Sequence, residues 1–190
     1  MIVNLADCLE VRCGVTMRSR IITHPQGNVC LVRMQDMHDE NAWQALPCVL
    51  AKNMPHANLL DPACDLVLRG RGQRLTMRCV PQLTMPTVCV SPLMRVRVRD
   101  PARLLPQYLC WYVNTPQAQA QLQHQAYQSD IAQLRVHALD ALCMPLPAPE
   151  RQAMILTAAA QARSDCAAAQ AKAWQTYEQM IQDLLEEAGQ

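Results

Sequence analysis

Over the first hundred positions apolar residues come in short bursts separated by polar turns. Val29 to Met34, Asp65 to Arg69, Leu75 to Val80 and Thr87 to Val90 read as strands. Leu93 to Arg99 alternates from position 94 onward. This period of two points Val96 and Val98 inward and sets Arg95, Arg97 and Arg99 as an outward, solvated row. Asn4 to Leu9 reads as a short opening helix. Positions 35–62 are polar and weakly periodic, which predicts loops with short helical turns. The stretch Gly70-Arg71-Gly72-Gln73-Arg74 is a turn leaving the strand that ends at Arg69. Short strands with varied loops predict an α+β globule of mixed, mainly antiparallel strands and short helices.

After position 104 the period changes to helical. Leu104 to Val113 and Pro116 to Tyr127 predict two short helices, with Thr115 as N-cap and Pro116 at the first helical position. Val136 to Leu142 is a further short segment. Met144-Pro145-Leu146-Pro147-Ala148-Pro149 forbids regular helix and reads as a stiff, extended hinge. From Glu150 to Glu187 there is no Gly or Pro, and Ala, Gln, Leu and Glu dominate. This predicts one rod roughly 55 Å long. Its apolar positions step by three and four through Ile155, Ala159, Ala162, Cys166, Ala169 and Ala173. After one slip they continue through Trp174, Tyr177, Ile181, Leu184 and Ala188. Such a stripe is that of a coiled-coil helix. Its small residues in the first half let a partner helix come close. The expected division is a globular domain over 1–148 and a long dimerisation helix over 149–190, the helix pairing with another chain or else packing on its own domain.

Composition narrows the classes. Of 190 residues 51% are hydrophobic and 17% charged, so a core is available and global disorder is excluded. Phe is absent, which leaves Leu, Val, Met and Ala to fill the interior. No apolar run reaches the length of a membrane span, and the N-terminal segment lacks a basic secretory region, so a cytoplasmic protein is expected. The ten cysteines show no metal-ligand or redox spacing, and reduced cysteines serving as small core residues are expected.

The net charge of +1 conceals a division. Residues 1–104 hold thirteen Lys and Arg against eight Asp and Glu, and residues 105–190 hold four against eight. Between 69 and 103 eight arginines face one acid, Asp100. Arginine's planar fork suits phosphate and guanine. The chain contains no phosphate-cradling glycine loop, no Gly-x-Ser-x-Gly elbow, no histidine pair at ligand spacing and no methyltransferase tetrapeptide. Asp36, Asp39 and Glu40 lie close together without a nuclease pattern around them. The reading is a binder, not an enzyme, with no cofactor or metal of its own.

Several stretches, in order, resemble the specificity subunit of type I restriction-modification systems. Leu5-Ala-Asp7 through Gly14 resembles that family's opening segment. Asp61 to Gly72 resembles its strand and arginine-glycine turn, and Ser91 to Val96 the strand that follows. Leu104-Leu-Pro106-Gln-Tyr108-Leu109-Cys-Trp-Tyr112-Val-Asn114-Thr-Pro resembles its helix ending in Asn-Ser/Thr-Pro. Ile131, Leu134, Leu139 and Leu142 before Met-Pro145-Leu-Pro147 resemble the approach to its spacer helix, which opens near Gln152. The chain departs from the pattern at Cys64, at Arg151 and before Ile131, where a glycine or an acid is usual. The resemblance implies one DNA target-recognition domain followed by one spacer helix, half of the usual arrangement. It implies double-stranded DNA as ligand, a DNA methyltransferase subunit as partner carrying S-adenosylmethionine, a twin or second half-subunit, and in some systems a restriction subunit. Arg69, Arg71, Gln73 and Arg74, and next Arg18 and Arg20, are the expected DNA contacts. Ile155, Ala159, Ala162, Cys166, Ala169, Trp174, Tyr177, Ile181 and Leu184 are the expected helix-pairing seam. The rival class is a non-catalytic scaffold that no longer reads DNA.

Overall fold

Strand-period sequence around Leu93 to Val98 finds partners on both sides, and the main sheet grows from it. The computed structural model describes residues 2–17, 21–38, 41–51, 58–72, 74–126 and 138–188. In chain order the strands are β1 (Ile2–Asn4), β2 (Leu9–Cys13), β3 (Val29–Val32), β4 (Cys48–Val49), β5 (Asp65–Arg69), β6 (Met77–Cys79), β7 (Thr87–Cys89), β8 (Leu93–Val98) and β9 (Cys143–Pro145). Helices α1 (Pro106–Val113), α2 (Pro116–Ala126) and α3 (Pro149–Ala188) follow or flank them, with 3-10 turns at Leu5–Asp7, Met34–Met37 and Asn41–Ala45.

One four-stranded antiparallel sheet has the order β2-β8-β5-β6. A second sheet runs β4-β3-β7, in which β3 and β7 are parallel, and β1 pairs with β9 across the length of the domain. Register places Leu66 opposite Val96, and Leu68 opposite Met94. These four, with Val98, are buried on one face. Helix α1 lies against β5 and β6, with Leu109 and Val113 buried. On the opposite face Val67 and Leu93 join Val32, Met37, Trp43 and Leu60 in a second cluster. A third cluster of Val29, Leu31, Val49, Val88 and Val90 packs around β3. Burial of this many aliphatic side chains, at roughly 25 cal/mol per Å² of apolar surface, is the main driving force for the fold.

The mixed α+β architecture with a long C-terminal helix agrees with the expectation, and so do the strands beginning at Val29, Asp65, Thr87 and Leu93. Three corrections apply. Residues 2–13 form no opening helix: two strands flank one 3-10 turn, whose N-terminal amide at Ala6 bonds to the Asn4 side chain at 3.1 Å. The apolar run is strand because β9, about 140 positions away in the chain, supplies its ladder partner. The arginine row is not uniformly solvated: Arg95 is only 3% exposed and Arg97 is half-buried, while Arg99 is exposed. The cysteines are not uniformly reduced core residues. Cys30 and Cys48 stand opposite each other in the β3–β4 register and form a disulfide, their Cα atoms 4.0 Å apart. Cys13, Cys143 and Cys166 are exposed. The expected segment from Val136 lies partly outside the described residues, which resume at a turn over 138–141.

Residues 1–149 and 150–190 form two separate units. Helix α3 runs for 40 residues, about 60 Å at 1.5 Å per residue. Its exposed face is knitted by amide-carboxylate pairs one turn apart, Gln161 to Asp165 and Gln179 to Asp183, each at 2.8 Å.

Candidate nucleic-acid interface

Strands β5 and β6 form a hairpin whose ladder extends to the amide of Arg69 donating to the carbonyl of Thr76 at 2.8 Å. The loop beyond it carries the predicted basic turn. Gly72 sits at φ +109°, a conformation that disfavours side chains, and an added Cβ would lie 3.0 Å from the Arg69 guanidinium. Arg69 is half-buried and folds back: its Nε donates to the carbonyl of Arg71 at 2.9 Å. Arg71 and Arg74 are exposed. The turn thus ties Arg69 to Arg71, and Arg74 follows on the same loop. Gln73, Arg18 and Arg20 lie outside the described residues.

Two side-chain amides hold this hairpin from behind. Gln119 of α2 receives the Leu75 amide at 3.1 Å and donates to the Leu75 carbonyl at 3.0 Å and to Val113 at 2.8 Å. Asn114 treats the next edge residue alike, accepting from the Met77 amide at 3.1 Å and donating to its carbonyl at 2.8 Å. Strand β6 is an edge of the sheet, so these amides satisfy backbone groups that the ladder leaves open. Thr115 performs the predicted N-cap, its hydroxyl accepting from the Ala118 amide at 3.3 Å.

The charged face of the sheet is largely engaged within the protein. Arg97 donates twice to the fully buried Asp65, both bonds at 2.7 Å. The hydrogen bond to Asp65 raises the Arg97 pKa above its ordinary value. Arg95 reaches Glu10 at 2.7 Å, and Arg12 meets the same carboxylate oxygen at 2.5 Å. Burial pushes Glu10 upward, but the hydrogen bond from Arg12 and the charges of Arg12, Arg95 and Arg97 outweigh it and leave the carboxyl below its ordinary value. Arg99 donates from Nε to the carbonyl of Leu9 at 2.9 Å. Arg78 donates to the carbonyls of Met37 at 3.0 Å and His38 at 3.2 Å. Arg71 and Arg74 on the turn are exposed, whereas Arg95 and Arg97 of β8 are tied to Glu10 and Asp65.

The predicted seam on α3 lies on one continuous helix. Ile155 and Ala159 are half-buried, while Ala162, Cys166, Ala169, Trp174, Tyr177, Ile181 and Leu184 are exposed. The rings of Trp174 and Tyr177 meet in a tilted arrangement with centroids 5.5 Å apart.

Sequence reading missed the roles of Asn114, Gln119, Arg78 and His38. It also missed two tyrosines spaced one helical turn apart. Tyr108 donates to the carbonyl of Pro145 at 3.0 Å and Tyr112 to that of Cys143 at 2.8 Å, pinning β9. Their i, i+4 spacing matching alternate residues of a strand was the available signal. Burial raises both phenol pKa values. No group of three His, Cys, Asp or Glu suited to a metal occurs among the described residues, and none of their helices is long and apolar enough to cross a membrane.

A mixed α+β domain followed by a long C-terminal helix is the fold that the chain shares with type I restriction-modification specificity subunits. The HsdS subunit from Thermoanaerobacter tengcongensis matches with a TM-score of 0.63 and 17% identity over 88% of this chain and 38% of that one. A structure from work on complex assembly and conformational transition of a type I restriction-modification system matches with a TM-score of 0.61 at 15% identity, over 88% of this chain and 39% of that one. The specificity subunit from M. genitalium matches with a TM-score of 0.51 at 11% identity, over 83% of this chain and 37% of that one. The chain thus spans under two fifths of the length of each. No protein-family profile and no curated protein sequence matches it.

Proposed function

We propose that this chain is a DNA specificity half-subunit: its domain reads one half of a bipartite DNA site, and α3 pairs with a second such helix to set the distance to the other half. It does no chemistry itself. It directs a partner adenine methyltransferase, which carries the S-adenosylmethionine, and in some assemblies a restriction subunit. The shared fold supports this reading, and the single observation that carries it is the exposed pair Arg71 and Arg74 on a hairpin turn held from behind by Gln119 and Asn114. A turn presenting exposed forked cations is suited to phosphate and guanine. Deleting the gene from its native host is expected to erase adenine methylation at one split motif. An unchanged methylation map would sink the assignment.

The internal engagement of Arg95, Arg97 and Arg78 favours a second reading, a scaffold that binds proteins only. Duplex binding by the purified chain separates the two. R71A/R74A is expected to weaken binding and lower the salt dependence by up to about two phosphate contacts. A scaffold shows no duplex binding to lose.

A further inference from the structure

The exposed turn has a neighbour that sequence reading left among the loops. Register sets Arg78 opposite Val67, so its side chain leaves β6 on the face where Met37 packs with Val67. There its fork takes two consecutive carbonyls, Met37 at 3.0 Å and His38 at 3.2 Å. Met37 is buried and His38 exposed. From the other side Nη1 of Arg69 lies 3.5 Å from Nε2 of His38, while Nε of the same guanidinium holds the Arg71 carbonyl at 2.9 Å. One guanidinium therefore spans two segments 31 positions apart in the chain. A guanidinium has only donors, so a hydrogen bond here requires Nε2 as acceptor, with the ring proton on Nδ1.

We infer that the Met37–His38 corner is a second DNA-contacting element, with His38 as its contacting side chain, and that Arg78 and Arg69 are positioning residues that lock this corner to the 69–74 turn. The inference rests on the DNA-reading proposal above. It reassigns Arg69, which its place in the sequence makes a contact. An imidazole N–H beside the Arg71 turn offers a hydrogen-bond donor to a phosphate oxygen or a base edge. Lysine keeps the charge of Arg78 and Arg69 but has no planar fork with which to hold two carbonyls or bridge two segments.

The test is fluorescence anisotropy of the full-length chain on a labelled mixed-sequence duplex of about 40 base pairs, from roughly 50 to 200 mM salt. H38A and R78K are each expected to weaken binding about three- to tenfold. H38A/R78K is expected to be no weaker than the worse single variant within about twofold, because both disable one contact. R69K is expected to behave like R69A. In R78K the salt slope stays near that of the unaltered chain, whereas R71A lowers it by about one contact. Additive losses, or R78K and R69K binding as the unaltered chain does, overturn the inference. His38 is exposed, so H38A retains the fold, and undiminished binding by it overturns the inference even where R78K unfolds. If the unaltered chain binds and R71A loses affinity while H38A does not, only this inference falls. If the unaltered chain ignores the duplex, the DNA-reading proposal falls with it.

Discussion

Asp65 has no exposed surface, and its carboxylate is held by Arg97 from the neighbouring strand and by the amide of Asp61 at 2.8 Å. Removing one member of a buried ion pair leaves the other charge uncompensated. D65A is therefore expected to destabilise the fold by about 3–5 kcal/mol, read as a lowered urea midpoint, and D65A/R97M to recover part of that loss. Glu10 supplies the pH dependence. Its folded pKa lies below its ordinary value, so its contribution is present above the unfolded pKa and fades as pH falls through the folded one. Stability is expected to decline below about pH 4.5, and E10Q to have a shallower acid limb in a series of thermal melts. At this scale the sequence was half legible. Alternation along 93–99 told which residues share a face, and Val96 and Val98 do point inward. It did not tell what covers the other face, because Glu10 and Asp65 reach the arginines only through strand register. Gly14 is similar. It stands out in the sequence only by resemblance, whereas an added Cβ would lie 2.7 Å from the Cys89 carbonyl and 2.8 Å from that of Leu93.

Among elements, β6 shows how a short edge strand is made dependable. It has three residues and one ladder partner, yet Asn114 and Gln119 complete its outer side with amide groups that pair with a peptide as another strand would. N114A leaves the Met77 amide and carbonyl without these bonds, at a cost of about 1–3 kcal/mol. Native-state hydrogen exchange checks this directly: the Met77 amide is expected to lose protection in N114A while β8 keeps its own. Asn114-Thr115-Pro116 was legible as a helix boundary, because caps and Pro act within a few residues. The second role of Asn114 was not, since Met77 is 37 positions away. The same distance rule separates the other outcomes. The turn at 70–74 and α3 depend on local residue chemistry, and their places followed from the sequence. Strands β1 and β4 exist through partners far along the chain, β9 and β3, and periodicity over two or three residues carries no information about either.

For the whole molecule the decisive element is α3, whose size suits more than one domain's needs. Trp174 is 63% exposed and Leu184 53%, and Met180, Tyr177 and Leu185 are bared on the same half of the helix. Leaving such groups in water forgoes roughly 1.5–3 kcal/mol for each large side chain that a partner helix would bury. The small residues of the first half, Ala159, Ala162, Cys166 and Ala169, permit close approach, while the aromatic and aliphatic second half provides area. A pairing built this way is expected to fail first in the second half. Light scattering of the purified chain is expected to give twice the chain mass where a twin supplies the second helix. I181D/L184D is expected to give the single mass, with the globular domain still melting cooperatively. If the proposed DNA reading holds, a twofold pair requires the two half-sites to be inverted copies, and the methylated motif in the native host is then expected to read as a split palindrome. If the chain is monomeric at all concentrations and the host motif is asymmetric, twofold self-pairing through α3 is ruled out.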